Sequence, residues 1–359
     1  MANMAQAIRM ALHYGETNLG VTDVFGEDVG PPLGGVFTVT QGLKTAWNSP
    51  LDERGIIGAA IGLALAGDRC VAEIQFCDYI FNTIDLLKLA GLQCWISNGQ
   101  WNVPMTVMTP VGSGIRGSIY HSHSFDATMT HIPGWKIVMP STPIDAYGLM
   151  ISCLKDPNPT MFLKPKALLR VRGKEQIPGE PPLTPEGEKM LKEMIDAPLG
   201  DRSKWQPRWP EELSDFTVKI GSARLACEGK DITVVSYGRT LPLCEQAAYK
   251  LHDEEGLSIE VLDLRSLWPY DWEMISESIR KTRRVLFVNE DTEVTNFGEH
   301  LLRRVVEDEE LFYCLEARPR LLAGAFVPGI GLADPIEMAS VPQLTSILKT
   351  IREVLADKA

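Results

Sequence analysis

Two successive α/β domains are predicted for this chain, and three observations carry that prediction. Short apolar runs alternate with segments of helical periodicity through the first part of the chain. The alternation lapses over residues 176–215, where prolines crowd. It then resumes toward the C-terminus. The domains expected are therefore 1–175 and 216–359, with 176–215 as an interdomain linker or insertion.

The elements follow in order. Met4, Ala7, Ile8, Ala11 and Leu12 recur at helical spacing without the long apolar core of a signal peptide, so a core-facing first helix is expected. Residues 20–25 read as a buried strand that runs into the loop Gly26-Glu27-Asp28. A Gly/Ala-rich helix spans 55–66, its glycines inviting close approach of another backbone. Strand 70–75, helix 82–94 and strand 105–108 come next. Strand 136–140 leads through Ser141-Thr142-Pro143, a helix-start signal, into a further helix, and 160–163 is another strand. In the insertion only 186–195 looks helical, and Trp205 and Trp209 predict that it docks on the surface. The second domain reads as strand 231–236, helix 241–254, strand 259–264, helix 272–282, strand 284–288 and helix 298–306.

Composition excludes several classes. The chain is 45% hydrophobic and 23% charged, an ordinary globular balance. A net charge of -12 with no Lys/Arg-rich run argues against nucleic acid as a partner. The apolar stretch 56–67 falls short of the ~20 residues of a membrane span, so no membrane partner is expected. Seven scattered cysteines without a CxxC pair favour a reducing compartment, and the cytoplasm is the expected location.

The common nucleotide and hydrolase motifs are missing or misplaced. Gly112-Ser113-Gly114-Ile115-Arg116-Gly117 has the letters of a dinucleotide fingerprint but opens no helix. No Walker A loop and no Gly-x-Ser-x-Gly elbow occur. Four segments instead sit at strand ends or helix starts, where α/β folds place their sites: Gly26-Glu27-Asp28-Val29, Leu51-Asp52-Glu53, Gln75-Phe76-Cys77-Asp78-Tyr79-Ile80-Phe81, and Tyr120-His121-Ser122-His123. Each alone has a plainer reading: a helix cap for Glu53, core aromatics for 76–81. A metal hydrolase built on His121 and His123, with Asp126 and His131 nearby, is a second reading. A noncatalytic α/β assembly partner is a third.

Taken together and in order, these segments resemble the β subunits of thiamine-diphosphate-dependent 2-oxo acid dehydrogenases. Gly34-Gly35-Val36-Phe37, Asn48-Ser49-Pro50-Leu51-Asp52-Glu53, Glu73-Ile74-Gln75-Phe76 and His121-Ser122 carry the likeness in the first domain. It continues through Pro140-Ser141-Thr142-Pro143 and Asp156-Pro157-Asn158-Pro159, then Asp231-Ile232-Thr233-Val234-Val235-Ser236 and Asp263-Leu264-Arg265-Ser266-Leu267-Trp268-Pro269. The resemblance implies a thiamine-diphosphate-binding, pyrimidine-type fold followed by a transketolase C-terminal-like domain. It implies that Glu53 hydrogen-bonds the aminopyrimidine ring and that Tyr79 stacks on it, with Leu51 and Gln75 lining the pocket. His121 becomes the acid/base group for acyl transfer to a lipoyl arm. Backbone groups around Thr106, Asp156 and Asn158 match a loop that holds a monovalent cation such as potassium and stiffens the structure.

Gly67-Asp68-Arg69 lacks the second glycine of a Gly-Asp-Gly diphosphate motif, so an α subunit is expected to hold magnesium and the diphosphate. The implied partners are that α subunit, in an assembly of two α and two β chains, and a lipoylated acyltransferase core. The implied substrate is a branched-chain 2-oxo acid such as 3-methyl-2-oxobutanoate, on the resemblance of 78–81, with pyruvate as the alternative. A self-sufficient transketolase-like enzyme would need a further domain of ~200 residues. Arg54 departs from the usual neutral neighbour of Glu53; it either depresses that carboxyl or points away from it.

Overall fold

The computed structural model describes residues 1–198 and 205–357. Its packing divides into two units, the first of residues 1–110, 132–164 and 168–220, the second of 111–131, 165–167 and 221–359.

In chain order the first unit holds α1 (Met4–Asn18), β1 (Val21–Gly26), β2 (Ala46–Asn48), α2 (Glu53–Ala66), β3 (Arg69–Glu73), α3 (Ile84–Ile96) and β4 (Met105–Val111). After α4 (Asp126–Thr130), which belongs to the second unit, come β5 (Lys136–Val138), α5 (Pro143–Lys155), β6 (Thr160–Pro165) and α6 (Pro185–Ile195). The strands run β5-β6-β4-β3-β1-β2, with parallel pairing at β1–β2, β1–β3, β3–β4 and β5–β6. Parallel neighbours need crossovers, and α2, α3 and α5 supply them. Strands covered on both faces read as continuous apolar runs, which is why β4 is buried from end to end.

The helix starts are where side-chain chemistry predicts them. Asn3 and Gln6 form a reciprocal cap on α1, and Thr142 Oγ1 accepts from the Asp145 N–H at the start of α5, behind Pro143. Met4, Ile8 and Leu12 of α1 share one core with Tyr147, Ile151 and Leu154 of α5. The insertion docks on this pair of helices. Trp209 stacks on His13 at 4.2 Å, and Tyr147 Oη donates to the Ser214 carbonyl at 2.7 Å. Arg9, fully buried, reaches the Ile195 carbonyl and pairs with Asp196 at 2.9 Å.

The second unit contains β7 (Arg224–Cys227), β8 (Ile232–Ser236), α7 (Thr240–Glu255), β9 (Ile259–Asp263), β10 (Ser266–Trp268), α8 (Trp272–Thr282) and β11 (Val285–Thr292). It closes with α9 (Phe297–Glu307), α10 (Glu309–Cys314), β12 (Arg320–Gly324), α11 (Asp334–Ser340) and α12 (Leu344–Ala356). One sheet has the order β12-β11-β8-β9-β7, parallel except for the antiparallel edge pair β7–β9. Its core joins Val234, Leu241, Leu251, Val261 and Val288 to Ile347 and Ile351 of α12. No helix among the described residues is long and apolar enough to cross a membrane.

Candidate active site

The site in the first unit is built on the C-terminal ends of β1 and β3 and the N-terminus of α2. β1 ends at Gly26, where a Cβ would stand 2.3 Å from the Glu73 carbonyl of the neighbouring strand; only glycine lets the two strands close there. The loop beyond is pinned by β3. Gln75 Nε2 donates to Asp28 Oδ2 at 3.0 Å, and the Val36 N–H donates to Glu73 Oε1 at 2.9 Å. Glu73 in turn pairs with Lys164 of β6, both side chains being fully buried. Gly35 lies at φ 79°, and a Cβ there would meet Thr40 Oγ1 at 2.5 Å.

α2 begins two residues earlier than its apolar pattern suggests, which puts Glu53 in the first helical turn. Glu53 is half-buried, and its Oε2 accepts from Asn82 Nδ2 at 3.2 Å. Residues Cys77–Thr83 form a tight 3₁₀ turn before α3, which aims Tyr79 and Asn82. Tyr79 packs edge-on to Phe76 at 6.0 Å, and Phe76 edge-on to Phe37 at 6.4 Å. Glu27, Glu53 and Tyr79 form one electrostatic neighbourhood. Burial, then Asp28 and Glu53, push the Glu27 carboxyl above the usual range. Burial, then Asp78, Glu27 and Glu53, push up the Tyr79 phenol.

Arg54 turns away from its neighbour. Its guanidinium is bidentate on Asp85, at 2.6 and 2.9 Å, and also donates to the Asn82 carbonyl at 2.8 Å. Adjacent residues in a first helical turn point about 100° apart, and Asp85 at the start of α3 captures this one. Leu51 stays out of the packed cluster: it is 71% exposed on the turn ahead of α2.

His121 belongs to the second unit, on the turn after the short 3₁₀ segment Ser118–Tyr120. Its Nδ1 is 3.0 Å from the Gly117 carbonyl, which can only accept, so Nδ1 is the donor of that hydrogen bond. The preceding turn is clamped by α11. Glu337 accepts from the Gly114 N–H at 2.8 Å, and Asp334 pairs with Arg116. His123 stacks on Phe125 at 5.2 Å. Among the described residues, no group of three or more His, Cys, Asp and Glu is arranged to hold a metal.

Residues 1–172 match the transketolase pyrimidine binding domain, and 221–347 the transketolase C-terminal domain. A solved split gene transketolase, an inactive β4 tetramer, superposes with a TM-score of 0.71 at 17% identity over 100% of both chains, a likeness of fold. The 2-oxoisovalerate dehydrogenase subunit beta 2 of Arabidopsis thaliana is 35% identical over 98% of this chain and 89% of its own length. The chain belongs to the 2-oxo acid dehydrogenase β-subunit family. Further relatives include the 2-oxoisovalerate dehydrogenase subunit beta of Pseudomonas aeruginosa, 36% identical over 90% of this chain and 87% of that one. The pyruvate dehydrogenase E1 component subunit beta of Acholeplasma laidlawii is 35% identical over 89% of this chain and 86% of its own.

Several partners in this β-subunit chain escaped sequence reasoning. Asn82 and the Glu73–Lys164 pair are separated from what they hold by 29, 37 and 91 residues, so no local pattern marks them. The same holds for a buried acidic cluster in the second unit. Asp126 accepts from Ser124 Oγ at 2.5 Å, while Asp291 accepts from the Ala127 N–H at 3.0 Å. Glu290 lies 3.7 Å from Arg239. Burial, then Asp291, holds Asp126 well above the usual carboxylate range, and burial pushes Asp291 up to about 6.

The loop after α5 carries Asp156 and Asn158. Arg69 Nη1 donates to the Leu154 carbonyl and, at 3.2 Å, to that of Asp156. Lys136 Nζ pairs with Asp156 Oδ2, whose Oδ1 accepts from the Asn158 N–H at 3.0 Å. Thr106 Oγ1 is 2.9 Å from Thr160 Oγ1, and Asn158 Oδ1 is buried without a hydrogen-bond partner.

Proposed function

We propose that this β subunit supplies the pyrimidine half of a thiamine diphosphate site and an α subunit the rest, in an assembly of two α and two β chains. The observation that carries the reading is Glu53 in the first turn of α2, held by Asn82 in the electrostatic neighbourhood of Tyr79 and left by Arg54, which pairs with Asp85. A carboxylate acceptor, an aromatic ring and the exposed apolar side chain of Leu51 are a lining that fits an aminopyrimidine ring. Bound there, thiamine diphosphate supplies the electron sink for decarboxylation of a 2-oxo acid.

The chain's own residues do the rest. Glu53 holds a proton at the ring nitrogen, and Asn82 fixes the carboxylate that does so. Gln75, through Asp28, sets the loop that carries Glu27. Magnesium and the diphosphate are assigned to the α subunit, since the Gly67-Asp68 turn closes the far end of α2, about 20 Å of helix from Glu53. His121 serves as acid/base group when the acyl unit passes to a lipoyl group of an acyltransferase core. Branched-chain 2-oxo acids such as 3-methyl-2-oxobutanoate are the favoured substrates, supported by the relatives named for 2-oxoisovalerate; pyruvate is the second reading, on the Acholeplasma relative. None of the seven cysteines is in a disulfide, which suits the cytoplasm.

The test is to co-express the chain with its α partner and compare decarboxylation of 3-methyl-2-oxobutanoate and pyruvate. Glu53→Gln is expected to lower turnover by about 10²-fold or more while the assembly forms normally. An assembled Glu53→Gln enzyme with wild-type turnover would leave the chain a noncatalytic partner.

A further inference from the structure

The β-subunit resemblance calls for a monovalent cation at Thr106, Asp156 and Asn158, yet the residues here do not fit one. The carbonyls of Leu154 and Asp156, at the end of α5, are both taken by the guanidinium of Arg69. Asp156 offers no spare charge, because one carboxylate oxygen faces Lys136 and the other its own turn. Arg69 and Lys136 against Asp156 already leave this loop with one net positive charge. An alkali-metal ion on the same oxygens would stand within a few ångströms of a group that cannot lose its proton at working pH. Thr106 Oγ1 is engaged with Thr160, and Asn158 Oδ1 is the remaining buried oxygen without a partner.

We infer that Arg69 takes the cation's place: its guanidinium ties β3 to the loop between α5 and β6, and the chain binds no alkali-metal ion there. The arginine is well placed for this role by register. It opens β3, whose next residue, Cys70, pairs with Met105 beside Thr106 of β4, and Thr160 of β6 closes the other side. A fixed side chain ends a loop's dependence on dissolved salt, since its effective concentration is set by the fold rather than by the medium. The inference rests on the family reading of this loop but not on any catalytic assignment, and melting temperature reads it independently of turnover.

The experiment follows thermal unfolding of the full-length chain, assembled with its α partner, in potassium chloride, sodium chloride and choline chloride at equal ionic strength. Wild-type midpoints are expected to coincide in all three salts. Arg69→Ala is expected to melt several degrees lower in choline chloride and to recover part of that loss in potassium chloride alone. A potassium-specific rise in the wild type overturns the inference, as does an Arg69→Ala midpoint equal to wild type or one that potassium does not lift. Should Arg69→Ala fail to assemble, Arg69→Met takes its place, and the wild-type comparison needs no variant to decide.

Discussion

Glu73 and Lys164 illustrate how much a single pair of residues can decide. Both side chains are fully buried, and Glu73 uses its second oxygen to hold the Val36 N–H of the site loop. Burial pulls the Lys164 ammonium below its usual range, against the opposing pull of Glu73. Lys164→Met should therefore cost about 3–5 kcal/mol, because it strands a buried carboxylate, and adding Glu73→Gln should restore part of it. Denaturant midpoints of the two single variants and the double variant check this; simple additivity would mean that the two groups do not act as a pair. Asp126 is a second case. Its folded pKa is raised, so the folded state holds a proton that the unfolded chain releases near pH 4. Stability from this group is greatest below that pH and is lost as pH climbs toward the folded value. Asp126→Asn keeps the acceptor for Ser124 without the charge. Relative to wild type it should gain stability as pH rises above 4, by at most about 1.4 kcal/mol per unit. Thermal melts at pH 5 and pH 8 would show the gap widening; a gap that narrows refutes the sign.

At the scale of elements, position in sequence says little about which segment supports the His121 turn of the second unit. α11 lies more than two hundred residues from the turn that carries His121, yet Glu337 accepts the Gly114 and Arg116 backbone N–H groups. Glu337 is also buried, so its carboxylate exists to satisfy that turn. Glu337→Ala is expected to lower acyl transfer roughly tenfold or more by loosening His121, with less effect on decarboxylation. Separate assays of the two half-reactions distinguish this from general instability, which would depress both alike. The helices α1, α2 and α5 were legible because their apolar spacing and caps are local signals. α6 was legible too, but its docking through Arg9 and Asp196 was not, since burying an arginine beside one acid depends on packing rather than pattern. Arg54 likewise takes its direction from a distant partner, Asp85 on another helix, through an exposed ion pair.

Across the whole molecule, the apolar surface points to assembly. Trp95 is 87% exposed, and Ile96 and Trp101 stand exposed with Leu65 around the far ends of α2 and α3. A cavity of about 520 Å³ opens there, lined by Ala64, Leu65, Gln93, Trp101 and Pro104. Large aromatics left in water at one place mark a covered surface. Trp95 should leave water when the α subunit is added, giving a blue shift in tryptophan emission that Trp95→Phe abolishes. An unchanged spectrum on assembly would remove this face from the interface.

Order and chemistry of the short motifs were enough to establish the family and the two-domain α/β class. Those are properties of residue type, spacing and periodicity, which the chain carries in one dimension. Tertiary structure alone decided that Arg54 leaves Glu53 for Asp85, that Lys164 pairs with Glu73, that α11 clamps the His121 turn, and that Arg69 sits on the carbonyls of Leu154 and Asp156. Each of these joins residues far apart in sequence through hydrogen bonds or ion pairs that form only once the chain has folded.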